Sequence, residues 1–239
     1  MEKKKLVEIK RGEEGHGLLI EHDGYTSIEC GNNKFLFESI KNKVNEGTEN
    51  NFFCPSPFIV DAVFQKHGIE NANGRIYPET ILKREVEKYQ IKINEKRAIG
   101  ECNHPSESVI DLSRVAINIV ELHWEGHTLV GKMEILISEG FKKYGIISCQ
   151  GDQVAHLLLN GIKIGVSSRG LGTVTNKMGV LYVGDDFELV CWDVVSDPST
   201  PGAYIGREKE EIQQYVESKV NTKSNLMEKL ENLTDWLND

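Results

Sequence analysis

Two serines lie in a glycine-flanked stretch that interrupts an otherwise apolar strand pattern. The sequence GVSSRGLG of residues 165–172 contains Ser167 and Ser168 and follows a segment in which apolar residues alternate with others, as in a β-strand. Successive residues of a strand point to opposite faces, so only one of the two serines can face a given cleft. A serine hydroxyl is a weak nucleophile at neutral pH and needs a base, most often histidine, and a group that orients that base.

Two other segments carry the side chains that such a serine needs. His104 lies in the sequence GECNHP of residues 100–105, and Asp193 ends the apolar run that begins at Phe187. In this chemistry the histidine takes the proton of the serine, and the carboxylate fixes the tautomer of the ring. The residues therefore predict a serine hydrolase with the chain order His, Ser, Asp. Asp197 is the alternative to Asp193 as the acid.

The composition fits one folded domain with tails and argues against nucleic-acid binding as the main function. The chain has 239 residues, of which 39% are apolar, and this is enough to bury a full core. Its net charge is -9, and no concentrated cluster of Lys and Arg interrupts the acidic surplus. Because binding to a phosphate backbone needs clustered positive charge, nucleic acid is excluded as the main ligand.

Neither a membrane segment nor a bound cofactor is indicated. The sequence lacks an apolar run long enough to cross a bilayer, and its first residues, MEKKK, do not begin a signal peptide, which predicts a cytoplasmic protein. Its five cysteines are scattered without a CxxC pair, so we expect reduced thiols and neither a disulfide framework nor a zinc site. The glycines of residues 170–172 lack the third glycine and the helix of a dinucleotide site, and we expect no cofactor.

Changes in composition along the chain predict three parts. Residues 1–51 form a loosely attached N-terminal arm and linker, because residues 41–51 read KNKVNEGTENN without an apolar periodicity. Residues 52–206 form the catalytic domain. Residues 207–239 form a helical C-terminal tail, since the chain there is rich in Glu, Lys and Asn and carries leucines at helical spacing, namely Leu226, Leu230, Leu233 and Leu237.

Within residues 52–206, strand patterns outnumber helix patterns. Apolar residues alternate from Phe58 to Phe64, and the runs 115–122 and 128–135 predict a β-hairpin. One helix is predicted to start near Pro78, and another to end at a left-handed cap formed by Asn160-Gly161. The first helix should carry its core-facing positions at Ile81, Leu82, Glu85, Val86 and Tyr89. Many strands without a βαβ alternation predict a mostly β, α+β fold: an antiparallel β-barrel with peripheral helices.

Four separated motifs together resemble one protein family. They are NGRIYP (residues 73–78), GECNHP, GVSSRGLG, and the segment from Asp193 to Pro198-Ser199. In this order, from about residue 52 to residue 204, they are similar to the prohead core proteases of tailed phages, of the T-even type. The resemblance implies a serine endopeptidase with a herpesvirus-protease-like fold, distantly similar to the assemblins. It implies action inside the viral procapsid in the host cytoplasm, on scaffold or core proteins, on the major capsid protein and on the enzyme itself.

The resemblance also implies roles for residues of the motifs. His104 corresponds to the general base and Ser167 to the nucleophile, because related capsid proteases place the nucleophile as the first polar residue after a Gly-apolar pair; Ser168 is the alternative. Asp193 takes the place of the second histidine of the assemblins. For the oxyanion, we expect backbone N–H groups from Ser168, Arg169 and Gly170, with Arg169 anchoring a loop or holding a water. Gly170 and Gly172 should let the substrate carbonyl come close to the backbone.

The family also suggests partners and cleavage sites. Its members tend to cut after a glutamate that follows Leu or Ile by two positions, which suggests self-cleavage at residues 19–21, 36–38 or 226–228. The C-terminal tail would dock the enzyme onto the scaffold core and later be removed. Because assemblins work as dimers, a homo-oligomer is compatible with the resemblance.

Other interpretations remain open for parts of the pattern. The chain is alternatively a catalytically inactive structural component of the procapsid core that has a protease fold. An esterase or amidase acting on small molecules would use the same residue types, but the sequence has no Gly-x-Ser-x-Gly nucleophile elbow. The sequence HWEGH of residues 123–127 lacks the spacing of a zinc protease helix and is typical of a hairpin tip.

Overall fold

Strands dominate the part of the chain that the structure describes, residues 7–21 and 54–206 of a computed structural model. Nine strands are present in these ranges: β1 Gly15–Ile20, β2 Phe58–Lys66, β3 Arg75–Ile76, β4 Ile99–Glu101, β5 Val115–Glu125, β6 Thr128–Ile135, β7 Gly165–Lys177, β8 Val180–Val183 and β9 Glu188–Val195. Three α-helices accompany them: α1 Glu79–Asn94, α2 Glu139–Tyr144 and α3 Gln150–Leu159. The predicted mostly β, α+β class is confirmed.

The strands form two open sheets. The first sheet has the order β1-β7-β8-β3, with β9 also paired to β7, and the second has the order β2-β6-β5-β4. Over the described ranges the sheets do not close on each other, so the predicted antiparallel β-barrel is wrong. The physical reason is that closure needs continuous ladders, whereas here isolated bridges such as Ala62 to Ile205 and Gly165 to Tyr204 join the two sheets.

The core lies where the two sheets and helix α1 meet. Alternate residues of β2 from Phe58 to Phe64 are buried, as the apolar alternation predicted. Trp192 of β9 is fully buried, with its ring centroid 5.6 Å from that of Phe64 and 4.9 Å from that of Tyr89. Both ring pairs are edge-to-face, the arrangement that aromatic quadrupoles favour. One indole therefore joins both sheets and the helix directly behind the residues of the predicted active site.

Helix α1 follows Pro78 and packs as its sequence predicted. Its buried residues are the five expected positions, Ile81, Leu82, Glu85, Val86 and Tyr89. Its polar side chains also cover the edge of β9: the Glu85 carboxylate accepts from the backbone N–H of Leu189 at 3.2 Å, and Lys92 Nζ donates to the carbonyl of Val190 at 2.8 Å. An uncovered strand edge would expose unpaired backbone groups, so α1 closes the first sheet on this side.

The other predicted local elements are also present. Strands β5 and β6 form the expected hairpin, with the turn at Gly126-His127, after residue 125. Helix α3 is capped by Asn160, and Gly161 follows with a φ of 74°, the left-handed conformation expected there. None of the helices in the described ranges is both long and apolar enough to span a membrane.

The N-terminal arm is more closely attached than the sequence suggested. Its residues 15–20 are strand β1, which pairs with β7 from Arg169 to Val174, and Leu18, Leu19 and Ile20 are buried. The polar linker of residues 41–51 and the tail of residues 207–239 lie outside the described residues. The division at residues 52 and 206 stays a prediction.

Candidate active site

The pairing of β7 with β9 separates the two serines. Ser167 lies directly opposite Asp193, and Ser168 lies opposite Trp192. Directly opposite residues of an antiparallel pair share a face of the sheet, so Ser167 and Asp193 point to the same side. Ser168 points to the other side, where its hydroxyl is hydrogen-bonded to Tyr77. The expectation that the serines face opposite ways is therefore correct.

His104 and Asp193 form a hydrogen-bonded pair. His104 Nδ1 lies 2.7 Å from Asp193 Oδ2, and the side chains are 3% and 0% exposed. An ionised carboxylate only accepts hydrogen bonds, so Nδ1 carries the proton and a neutral ring keeps Nε2 as its basic nitrogen. Asp197, the alternative acid, lies in the exposed turn after β9. Of the two aspartates, Asp193 contacts the histidine.

The end of β4 delivers His104 to this position. Cys102 forms a parallel bridge with Val194 of β9, and the backbone N–H of Asn103 donates to the Val194 carbonyl at 2.8 Å. Asn103 has a φ of 64°, a left-handed conformation that asparagine tolerates better than most residues. The chain thus turns immediately before His104 and directs the ring to the carboxylate of β9.

A glycine allows β4 to come this close to β9. A Cβ atom on Gly100 would lie 2.0 Å from the carbonyl oxygen of Trp192, which no larger residue could accept without moving a strand. The close approach lets the backbone N–H of Glu101 donate to Asp193 Oδ1 at 2.8 Å. The first glycine of the GECNHP motif therefore serves strand packing beneath the site.

Asp193 receives donors from three segments of the chain. Besides His104 and the N–H of Glu101, Arg169 Nε donates to Oδ2 at 2.9 Å. The Cys191 thiol lies 3.3 Å from Oδ1. Burial alone would raise the pKa of Asp193, but the hydrogen bond and charge of His104 and the charge of Arg169 outweigh it and lower that pKa. The carboxylate is therefore held ionised and in one orientation.

Arg169 is fully buried and anchors the loop that contains His104. Its Nη1 donates to the carbonyl of Glu107 at 2.6 Å, and its Nη2 donates to Glu101 Oε1 at 3.0 Å. Of the two roles expected for this side chain, the contact with Glu107 fits the anchoring of a loop. Because its guanidinium already contacts Asp193 and Glu101, we do not assign it to the oxyanion.

The two glycines after Arg169 pack against Phe187. A Cβ on Gly170 would lie 2.4 Å from the ring of Phe187, and a Cβ on Gly172 would lie 2.9 Å from the Cα of Phe187. Phe187, just before β9, fills the space that these glycines leave. The expectation that these glycines let a substrate carbonyl come close to the backbone stays a prediction.

A second buried cluster lies on the opposite face of β7. The Glu21 carboxylate accepts hydrogen bonds from Asn71, Asn73, Arg75, Tyr77 and Ser199, at 2.6 to 2.9 Å. Its backbone N–H donates to the Ser168 carbonyl at 3.2 Å. Burial alone would raise the pKa of Glu21, but Arg75 and the hydroxyl and amide donors lower it. The NGRIYP motif, for which no chemistry was predicted, thus supplies most partners of one buried carboxylate.

The described residues hold no group of His, Cys, Asp and Glu side chains that fits a metal ion. His123 instead lies 3.3 Å from Glu121 and 3.4 Å from Glu125 on the exposed side of the hairpin. Cys54, Cys102, Cys149 and Cys191 are free thiols, and Cys30 lies outside the described residues.

Comparison with known proteins identifies the family. A family model described as "Prohead core protein serine protease" matches residues 18–215, which is most of the chain. The chain belongs to this family. The resemblance noted in the sequence motifs is thereby confirmed.

For this prohead core protease family member, a sequence match and a structure match both come from bacteriophage T4. The prohead core protein protease of that phage is 34% identical over 152 residues, which cover 61% of this chain and 66% of the relative. The match thus spans just under two thirds of the curated relative. The structure of the T4 capsid assembly protease matches with a TM-score of 0.55 and 25% identity, over 74% of this chain and 96% of the other.

One suggested self-cleavage site is buried in the fold of this family member. Leu19 and Ile20 pair with β7, the backbone N–H of Glu21 donates to the Ser168 carbonyl, and both Leu19 and Glu21 are buried. Proteases bind extended, accessible chain, so we expect no cleavage of this segment in the folded protein. The candidates at residues 36–38 and 226–228 lie outside the described residues.

Proposed function

We propose that this chain is a serine endopeptidase that cleaves scaffold or core proteins, the major capsid protein and itself during procapsid maturation. The observation that carries the proposal is the 2.7 Å contact of His104 Nδ1 with Asp193, on the sheet face that Ser167 shares. The family, together with the names of the T4 sequence match and the T4 structure match, supports capsid assembly proteolysis. Action inside the procapsid and the distant likeness to assemblins are part of the same proposal.

In the proposed reaction Ser167 Oγ attacks the peptide carbonyl. Nε2 of His104 takes the hydroxyl proton, and Asp193 stabilises the imidazolium that forms. His104 then returns the proton to the leaving amine, and a water repeats the sequence to release the acyl-enzyme. The Ser167 hydroxyl suits this role because it is buried and makes no hydrogen bond within the described ranges. A purely structural buried serine would normally be bonded to a neighbour.

The oxyanion donors are proposed from the backbone after the nucleophile. The expected donors are backbone N–H groups of residues 168–170, and one such donor is typically worth about 3 kcal/mol in the transition state. The Arg169 guanidinium acts behind them, because its contacts go to Asp193, Glu101 and the His104 loop.

Substrate entry requires a rearrangement around Ser167. Ser167 is 2% exposed, so a peptide carbonyl reaches its hydroxyl only after neighbouring groups move. The burial of Ser167 is also the observation that favours the alternative function, a catalytically inactive structural component of the procapsid core.

Cleavage of a purified scaffold protein from the same phage tests the proposal. The full-length chain should cut it, and Ser167→Ala should lower kcat/KM by at least about 10³-fold. Ser168→Ala, whose hydroxyl belongs to the opposite face, should keep activity within about tenfold. Undiminished cleavage by Ser167→Ala would refute the nucleophile. A wild-type chain that never cuts, with or without assembled procapsid, would favour the structural alternative.

A further inference from the structure

Glu101 lies at the end of β4 and has no step in the reaction above. We propose that Glu101 is a positioning residue that balances the charge of Arg169, so that the charge of Asp193 stabilises the His104 imidazolium. This inference rests on the proposed function for its catalytic meaning. The effect of the Glu101 charge on the protonation of His104 is a property of the folded protein and can be measured without substrate.

Glu101 contacts Asp193, Arg169 and the loop that contains His104. Its carboxylate is fully buried, and Oε1 accepts from Arg169 Nη2 at 3.0 Å and from the backbone N–H of Asp111 at 2.8 Å. Oε2 forms an ion pair with Arg114 Nε at 3.2 Å. Its own N–H donates to Asp193 at 2.8 Å. One residue thus contacts the triad acid, the arginine behind it and the far end of the His104 loop.

Glu101 is one of two buried carboxylates that contact the buried guanidinium of Arg169; the other is Asp193. The partly exposed Arg114 pairs with Glu101 and also interacts with the carboxylate of Asp111. Within the described ranges, other titratable groups that interact with these side chains are Tyr89 of α1, Cys102 beside β4 and Cys191 of β9. Burial raises the pKa of each of these three groups, so they are neutral at neutral pH.

Removing the charge of Glu101 therefore takes away one of the two buried carboxylates that contact Arg169. Arg169 lies 2.9 Å from the carboxylate oxygen that contacts His104, and its field would then oppose protonation of the ring. Screening by water is weak here, because Arg169, Asp193 and Glu101 are all buried. Without the charge of Glu101, we expect protonated His104 to lose its proton more easily, so that His104 is a weaker base during catalysis.

A merely structural role for Glu101 predicts something different. A buried ion pair can stabilise a fold without affecting catalysis, and breaking it would lower stability and the amount of active protein. It would not move the pH at which His104 changes charge. Charge and shape can be separated, because Glu101→Gln keeps the shape and removes the charge, whereas Glu101→Asp keeps the charge.

The experiment is an NMR titration of full-length protein labelled at the histidine rings. The chain has seven histidines, and a His104→Ala variant identifies the signal of His104. Glu101→Gln should lower the titration midpoint of that signal by about one pH unit. Glu101→Asp should keep it within about 0.3 units of wild type. Glu85→Gln is the matched control, since Glu85 is also buried and ion-paired but lies on α1, and it should leave the signal unchanged.

A second variant covers the case in which Glu101→Gln does not fold. Arg114→Gln removes a positive charge from a partly exposed side chain, so the midpoint should move the opposite way, upward, by about half a unit. The proposal would be overturned if the His104 midpoint stayed at the wild-type value in whichever of Glu101→Gln and Arg114→Gln folds.

Kinetics separate this inference from the proposed function. If the chain is active, the acid limb of the pH profile of kcat/KM should move to lower pH in Glu101→Gln and stay in place in Glu85→Gln. If the NMR shift appears but no variant or wild-type chain cleaves protein, the proposed function fails and the charge balance stands. If wild type cleaves protein but Glu101→Gln moves neither the NMR midpoint of His104 nor the acid limb of the pH profile, the inference about Glu101 fails and the proposed function stands.

Discussion

Asp193 is the residue on which the account depends most at the scale of single side chains. It accepts hydrogen bonds from His104, Arg169 and the backbone N–H of Glu101. An asparagine has one oxygen and one NH2 group in place of the two carboxylate oxygens, so it cannot satisfy donors on both sides. It would either face Arg169 with an NH2 group or favour the wrong tautomer of His104.

Asp193→Asn should therefore lower kcat by about 10³- to 10⁴-fold with little change in KM. The measurement is the steady-state rate of cleavage of a scaffold-derived peptide. Asp197→Asn is the matched control and should behave as wild type, because Asp197 is exposed in the turn after β9. Equal losses in both variants would contradict the assignment of the acid.

The sequence allows a triad to be proposed, but it carries no signal for the residues behind it. His104, Ser167 and Asp193 can be chosen because nucleophilic catalysis requires those residue types, and motifs restrict the positions. Glu101 offers no such signal, since a charged residue at the end of a short strand is usually at the surface. Its importance depends on the burial of Arg169, which becomes visible only when β4 and β9 are placed side by side.

At the scale of elements, the approach of β4 to β9 positions the site. Gly100→Ala would place a methyl group 2.0 Å from the Trp192 carbonyl and push the strands apart. We expect a loss of about 2–3 kcal/mol in the free energy of unfolding and a larger loss of activity than stability alone explains. Urea denaturation with a parallel cleavage assay would measure both.

The control is Gly140→Ala in α2, where the nearest atoms to a new Cβ lie 3.8 Å away. It should leave activity unchanged and change stability by no more than about 1 kcal/mol, because alanine favours helix. A Gly100→Ala variant as stable and as active as Gly140→Ala would show that the close approach of the strands is not needed.

Elements with strong periodicity could be predicted, and those defined by distant pairing could not. The five buried positions of α1 follow from helical spacing, and the hairpin of β5 and β6 follows from two alternating runs with a turn between them. Strand β1 was predicted as part of a loose arm, because its six residues contain two glycines and a histidine. These residues form a strand because they pair with β7, about 150 residues later in the chain.

For the whole molecule, Asp152 predicts how stability depends on pH. It is buried in α3 and accepts from the backbone N–H and hydroxyl of both Ser138 and Ser148. Burial alone would raise the pKa of Asp152, but these donors lower it to about 2 from an ordinary 3.8. The unfolded chain therefore binds the proton more tightly, and the stabilisation present above about pH 4 is lost as the pH falls through 2.

Asp152→Asn should lower the free energy of unfolding at pH 7 by about 2 kcal/mol and flatten its fall between pH 4 and pH 2. Asp185→Asn is the control, because Asp185 is exposed and pairs with Arg84 at the surface; it should change stability by less than about 0.5 kcal/mol. Denaturant titrations across this pH range test the prediction. The prediction would be contradicted if the free energy of unfolding of Asp152→Asn fell with pH in parallel with that of wild type.

The burial of Glu21 gives a prediction about self-cleavage. Mass spectrometry of the incubated full-length chain should show no new terminus after Glu21, because this residue is fixed in the cluster with Arg75 and Tyr77. If the protein cuts itself, the termini should follow Glu38 or Glu228. A fragment that ends at Glu21, released from folded protein, would contradict the placement of β1.

The sequence allows the fold class to be predicted, but not whether the sheets close into a barrel. Many strands without βαβ alternation point to an antiparallel, mostly β protein, and the described residues form a mostly β fold in which every strand pair is antiparallel except β3 with β8. A barrel requires ladders that continue around the structure, whereas β3 has two residues and β4 has three. Such short strands carry no periodic signal, so closure could not be judged from the sequence.

The most direct test of the central claim is covalent labelling with a fluorophosphonate, mapped by tandem mass spectrometry. If Ser167 is activated by His104 and Asp193, the phosphonate should be found on Ser167, remain in Ser168→Ala, and disappear in Ser167→Ala and His104→Ala. A label on Ser168 that persists without His104 would contradict the account.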